Sequence, residues 1–81
     1  MRPLSRDEQR QAEVSGGLLV LDAAGPAARA GIQQGDVILA VNGRPVASAE
    51  ELRKLLGAGG RHAALLVQRD EARIFVPIEL G

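Results

Sequence analysis

The chain has 81 residues, of which 46% are hydrophobic and only 1% aromatic, and it contains no cysteine. Ten basic and ten acidic residues give zero net charge, which argues against nucleic acid or an anionic lipid surface as a partner. Disulfides and thiolate metal sites are excluded, and the size predicts one domain, residues 1–81, with an aliphatic interior and Phe75 as its one ring.

The first third of the chain predicts a short helix and a buried strand. Ser5 is followed three residues later by Glu8, which is typical of a capping box that opens a helix towards Ala12. The apolar run Leu18–Leu21 has the length of a strand, and we expect it to be central and buried on both faces. No stretch approaches the roughly 20 apolar residues that span a bilayer, so membrane insertion is not expected.

The middle of the chain predicts a short helix, a strand and a reversal. Pro26 suits the first position of a helix that reaches Ala30, and Gly31 ends it. The run Val37–Val41 is rich in β-branched residues and predicts a core strand, after which Asn42-Gly43 reverses the chain.

The last part predicts the main helix and a hairpin. Ser48 is a candidate N-cap for an amphipathic helix over Ala49–Leu56, which ends at the glycines beginning with Gly57. Strands over Ala63–Gln68 and Arg73–Glu79 flank a polar turn. The class is therefore α+β, a small antiparallel β-barrel or sandwich of about five strands with one main and two short helices.

One long stretch resembles the signature of PDZ domains, which has the pattern G-P-A-x-x-A-G-[LI]-x-x-G-D-x-I-x-x-[VI]-N-G. Residues 25–43 read GPAARAGIQQGDVILAVNG. Ala49–Leu56 resembles the groove helix of that family, and Leu65–Arg69 with Phe75–Ile78 resembles its bacterial, permuted ending. The strand that opens animal PDZ domains stands here at the end, as in the C-terminal PDZ module of HtrA/Deg-type serine proteases.

The resemblance implies a module that binds peptides and is not itself an enzyme. An extended or C-terminal peptide would add a strand to a sheet edge and place its last side chain in an apolar pocket. The positions that match the groove strand and groove helix are Arg2, Pro3, Leu4, Ala49, Arg53 and Leu56. Leu52 and Leu55 would face the core, and no cofactor or metal is implied.

The same resemblance places the parent protein in the bacterial periplasm or cell envelope, acting in protein quality control. It also implies that the groove strand is truncated, because the family's carboxylate-binding loop precedes the segment matched by Arg2–Leu4. Pro3 lacks an N–H group, which would remove one rung from a peptide added at this edge. Arg53 suggests a preference for an acidic residue upstream of the apolar peptide end.

Other functions remain open at this point. The domain could dock between neighbouring protease subunits, or it could belong to an intramembrane protease or a secretion-system protein. Leu4 and Leu56 could complete the core instead of lining a groove.

The residues that could carry other chemistry have simpler explanations. His62 is expected in an exposed turn, and Ser5 and Ser48 serve as helix caps. Asp36 supplies too few oxygen ligands for calcium, and it is expected to cap nearby amides. The glycines from Gly57 to Gly60 follow a helix, whereas phosphate-binding loops precede one.

Overall fold

The structure is a computed structural model that describes residues 2–23, 25–58 and 61–79. These residues contain three helices, α1 (Arg6–Ala12), α2 (Gly25–Arg29) and α3 (Ala49–Ala58). Six strands accompany them: β1 (Arg2–Pro3), β2 (Leu18–Leu19), β3 (Val37–Val41), β4 (Arg44–Pro45), β5 (His62–Arg69) and β6 (Ala72–Glu79). The α+β prediction is confirmed. Within the described residues, no helix is long and apolar enough to cross a membrane.

The strands form one antiparallel sheet in the order β1-β2-β3-β5-β6, and β4 pairs with β3. The hairpin of β5 and β6 is the longest pairing, running from His62 opposite Glu79 to Arg69 opposite Ala72. A register shift between Ile38 and Ala40 interrupts the pairing of β3 with β5. In the described chain β1 and β6 end the sheet without pairing to each other, so the sheet is not closed into a barrel.

The core lies on one face of this sheet, because side chains alternate along each strand. Ala63, Leu65 and Val67 of β5 and Val76 and Ile78 of β6 are buried there. The remaining members of the buried cluster come from β2, β3, α3 and the connecting segments: Leu18, Val20, Ile32, Ile38, Val41, Val46 and Leu52. Leu52 is buried and Leu55 packs against the cluster, as the helix pattern predicts.

Two apolar residues predicted to be interior are exposed. Phe75 is 74% exposed, because it has the same parity in β6 as Arg73 and Pro77, on the face away from the core. Leu21 is 47% exposed, because β2 ends at Leu19 and the chain turns away from the sheet. The buried strand predicted over Leu18–Leu21 is therefore shorter than expected, although it does lie between β1 and β3.

The local signals in the sequence are confirmed where they specify caps and turns. Ser5 and Glu8 form a reciprocal capping box, and Glu13 ends α1 in the left-handed conformation with φ 57°. The amide of Glu51 donates to Ser48 Oγ at 3.1 Å, which caps α3. Asn42 and Gly43 adopt φ angles of 50° and 83°, the left-handed geometry that two-residue hairpins favour.

Element boundaries differ from the prediction by one to three residues. Helix α2 ends at Arg29 and α3 continues through Gly57, because tertiary packing decides where a marginal helix stops. Gly59 and Gly60, predicted to end the helix, lie outside the described residues. His62 is the first residue of β5 and is exposed. The prediction that it is exposed is confirmed, and the prediction that it lies in a turn is wrong.

Candidate functional site

Strand β1 has one edge on β2, and its other edge is free of any described strand. Arg2 lies opposite Leu19 and Pro3 opposite Leu18, and the amide of Leu4 donates to the carbonyl of Gly17 at 3.3 Å. Because backbone groups alternate in direction along a strand, those of Pro3 face the free edge. Pro3 has no N–H group, so the free edge carries no backbone donor at this position.

The remaining backbone polar group of Pro3 is its carbonyl oxygen. The Nη1 atom of Arg2 donates to this oxygen at 3.2 Å. The same guanidinium forms a two-point contact with Glu8 of α1, with distances of 2.7 Å from Nη1 to Oε1 and 2.8 Å from Nη2 to Oε2. Glu8 also accepts from the Ser5 amide, and Arg2 and Ser5 together lower the pKa of the Glu8 carboxyl to about 2.

Helix α3 presents the other predicted site residues. Residues 49, 53 and 56 lie about one turn apart on one side of the helix, so their side chains are neighbours on its surface. Ala49 is half-buried and Arg53 is exposed. Leu56 is partly buried and packs against the core cluster. Helix α3 and β1 are connected through the core. Leu18 is the cross-strand partner of Pro3, and it belongs to the same buried cluster as Leu52 of α3.

Leu4 follows β1 and is only 7% exposed. Its carbonyl accepts a hydrogen bond from the side-chain amide of Gln9 in α1 at 3.1 Å, and its own amide donates to Gly17 beside β2. Both backbone polar groups of Leu4 are therefore hydrogen-bonded. Leu4 is buried, although it is not a member of the main buried cluster. Five of the six predicted site residues therefore stand on β1 and α3, Leu4 directly follows β1, and the role of all six in binding stays a prediction.

The sequence reasoning missed a contact that fixes the turn before β3. Asp36 is 2% exposed and accepts from the amide of Gln33 at 2.9 Å, which confirms its expected capping role. It also accepts from Arg69 of β5, and the Arg69 guanidinium lowers the pKa of the Asp36 carboxyl although burial opposes this. Nothing in the local sequence predicts this pair, because its members stand 33 positions apart.

The arrangement fits recognition better than chemistry. Ser5 and Ser48 accept helix-capping hydrogen bonds, and His62 lies at the exposed start of β5. Within the described ranges, no group of three or more His, Asp or Glu side chains could hold a metal ion. A strand with an open edge and an amphipathic helix are the parts that a peptide groove requires.

A sequence profile for the PDZ domain matches residues 19–69. This range contains β3, β4, α3 and β5, and it covers more than half of the chain. The fold and the strand-and-helix arrangement thus define a small domain of the protein-interaction class. The chain belongs to the PDZ domain family.

The chain is similar to part of several bacterial proteases. It is 46% identical over 59 residues to the probable periplasmic serine endoprotease DegP-like of Pseudomonas fluorescens strain Pf-5, covering 70% of this chain and 12% of that protein. It is 41% identical over 51 residues to the periplasmic serine endoprotease DegP of Salmonella typhimurium strain LT2, covering 63% of this chain and 11% of that protein. The chain thus spans about an eighth of the length of these relatives.

Two solved structures share the fold. The HtrA3 PDZ domain bound to a phage-derived ligand, FGRWV, superimposes with a TM-score of 0.80 at 32% identity, covering 96% of this chain and 76% of that one. The HtrA-type protease AlgW with a decapeptide superimposes with a TM-score of 0.65 at 22% identity, covering 99% of this chain and 26% of that one. At that identity the second likeness concerns the fold alone.

Proposed function

We propose that this chain is the peptide-binding PDZ module of an HtrA/Deg-type serine protease. An extended or C-terminal peptide segment adds a strand beside β1, and its terminal side chain enters a pocket next to α3. The observation that carries the proposal is the free edge of β1 together with the half-buried face of Ala49 and Leu56 in a PDZ fold. The module binds and does not itself catalyse.

The similarity to periplasmic serine endoproteases supports the wider setting. Because these relatives are named periplasmic serine endoproteases, we place the parent protein in the periplasm or cell envelope as a trypsin-like protease of protein quality control. The module then serves to select or sense substrate segments.

The preferred peptide ends in an apolar residue with a free carboxylate. Ala49 has a small side chain and Leu56 an apolar one, and both are partly buried on the same side of α3, which suits an apolar peptide end. The ligand of the HtrA3 PDZ domain, FGRWV, ends in valine, which agrees with such a pocket. Arg53 is exposed beside these residues, so an acidic residue upstream in the peptide is favoured.

The affinity of this chain alone is modest. Pro3 supplies no donor at the free edge, and its carbonyl already accepts from Arg2. In the PDZ family the carboxylate-binding loop precedes the segment that Arg2–Leu4 matches, and a chain extended by such a loop and groove strand is therefore the second form to test. A longer chain with those residues should bind on the order of micromolar, about −8 kcal/mol.

The test is a titration of isotope-labelled protein with a peptide ending in valine, followed by amide chemical shifts. We expect shifts at Leu4, Ala49, Arg53 and Leu56. In the longer chain, which carries the carboxylate-binding loop, we also expect loss of binding when the peptide carboxylate is amidated. Ala49→Lys should weaken binding about tenfold by filling the pocket, whereas Glu50→Lys on the exposed side of α3 should not. Shifts elsewhere with these residues unmoved would contradict the groove assignment.

The same edge of β1 also favours a second function. Pro3 has no backbone donor there and its carbonyl already accepts from Arg2, so in this alternative the module docks between neighbouring protease subunits. The two functions separate in one comparison. Peptide binding by the longer chain supports recognition, and an absence of binding in both lengths supports subunit docking.

A further inference from the structure

The sheet has a second apolar surface, on the face away from the core. A cleft of about 580 Å³ lies there, and we call it the back cleft. Its apolar lining includes Val14, Leu39, Ala40, Leu66 and Phe75. Phe75 is the only aromatic residue of the chain and is 74% exposed. An exposed aromatic side chain beside a concave apolar lining is typical of an interaction site.

The charged groups around the back cleft indicate what it would accept. Glu13 and Glu51 line it, and within the described part of the chain neither carboxylate belongs to an ion pair. Among the described residues that line it, the one basic side chain is Arg73, whose Nη2 atom donates to the backbone carbonyl of Glu13 at 3.2 Å. The described lining thus carries two carboxylates and one guanidinium, and the face of an exposed aromatic ring also attracts cations.

The fold fixes the carboxylate of Glu51 and the backbone of Glu13. Glu51 stands in the first turn of α3, where it accepts from the amide of Ala47 at 3.3 Å and from Ser48 Oγ at 3.4 Å. Glu13 is the left-handed residue that ends α1. The apolar floor comes from β3, β5 and β6. Preorganised anions around an apolar floor favour a ligand of complementary charge.

We propose that the back cleft is a second docking site, independent of the β1 edge, for a protein segment that carries apolar side chains next to arginine. An apolar side chain fills the space between Leu39, Leu66 and Phe75. The adjoining guanidinium stacks on the exposed ring and pairs with Glu51 or Glu13. Recognition here requires no peptide terminus, in contrast to the groove beside α3.

The probe for this site is the peptide Gly-Ser-Leu-Arg-Leu-Arg-Gly-Ser, acetylated at its start and amidated at its end. We expect amide shifts at Leu39, Leu66 and Phe75, with those of Ala49 and Arg53 unmoved. Phe75→Ala should weaken binding about tenfold. The double substitution Glu13→Gln/Glu51→Gln, which keeps the capping acceptors, should weaken it about threefold and reduce its salt dependence.

Matched control variants distinguish binding at the back cleft from nonspecific binding to exposed apolar surface. Leu21→Ala removes the second large exposed apolar side chain of the described residues, which does not line the back cleft, and Glu50→Gln removes a neighbouring charge. Both should leave the affinity unchanged. Equal binding of a probe with glutamate in place of arginine would overturn the proposal. So would shifts confined to the groove, or sedimentation that shows dimers dissolved by Phe75→Ala, which would mean that a second copy covers this face.

Discussion

The carboxylate of Asp36 is held at two points by the guanidinium of Arg69. The distances are 2.9 Å from Nε to Oδ1 and 2.7 Å from Nη2 to Oδ2. Arg69 Nη2 also donates to the carbonyl of Gly31 at 2.9 Å. One side chain of β5 thus binds both the segment after α2 and the turn before β3, which lie within the PDZ signature at residues 25–43.

Removing one partner of this pair should destabilise the domain. Asp36→Asn should lower the free energy of unfolding by about 2–3 kcal/mol, because a buried carboxylate and its hydrogen bonds are lost. Arg69→Met should also lower the free energy of unfolding, because it leaves the buried Asp36 carboxylate without its partner. The double variant should lose less than the sum of the two. Urea unfolding followed by circular dichroism measures this, since the chain has no Trp or Tyr. Lys54→Met, at an exposed position, is the control, and full additivity would contradict the coupling.

Stability should fall in acid through Glu8 and Asp36. The folded-state pKa of Glu8 is lowered from 4.5 to about 2, and that of Asp36 is lowered from 3.8. A depressed folded pKa means that the unfolded chain takes up protons first, so the contribution is present above the unfolded pKa and is lost below it. Unfolding measured from pH 6 to pH 2 should show the loss beginning near the unfolded value of 4.5.

Glu8→Gln should make this acid-induced fall shallower. Glu71→Gln, in the exposed turn between β5 and β6, is the matched control and should leave the slope as in the parent chain. An identical slope in Glu8→Gln would show that the contact with Arg2 is absent in solution.

Two glycines should respond in opposite directions to alanine. Gly43 has φ 83° and Gly57 lies inside α3, and an added Cβ meets nothing within 4 Å at either position. Gly43→Ala should therefore cost about 1–2 kcal/mol through backbone strain alone. Gly57→Ala should stabilise the domain by about 0.5–1 kcal/mol. Thermal unfolding of both variants measures this, and a change of the same sign would contradict the local geometry.

Pro3→Ala should tighten peptide binding if the β1 edge is the docking edge. The substitution restores an N–H group that faces the free edge, and a net hydrogen bond of about 0.5–1 kcal/mol corresponds to a two- to fivefold gain. Isothermal titration with the valine-terminated peptide measures it. Pro45→Ala, an exposed proline in β4, is the control. Unchanged or weaker binding by Pro3→Ala would point away from strand addition at this position.

Arg53 should set the charge preference of the groove. A peptide with aspartate upstream of its terminal residues should bind about threefold more tightly than one with lysine, the magnitude of an exposed ion pair. Arg53→Glu should reverse this preference, and Lys54→Glu should leave it in place. Equal affinities for the two peptides would remove Arg53 from the set of specificity residues.

Much of the fold was predictable because its signals are local. The capping box of Ser5 and Glu8 and the Asn42-Gly43 reversal depend on residues adjacent in sequence, and both are confirmed. The position of Phe75 was also available in the sequence. Its parity along β6 matches that of Arg73 and Pro77, whereas Ile74, Val76 and Ile78 share the other face. The prediction that Phe75 is interior relied on the composition of the chain. The alternation of side chains along β6 indicates an exposed position instead.

The sequence by itself determined the family, the order of the elements, their caps and the candidate groove residues, because these follow from short-range geometry and from a long motif. Only the tertiary structure decided which strand edges stay open, which face Phe75 takes, and that Arg69 meets Asp36. Those outcomes depend on strand register and on pairs far apart in the chain. A shift of one residue in register moves every side chain to the opposite face, so the contacts must be fixed in space before the surface is defined.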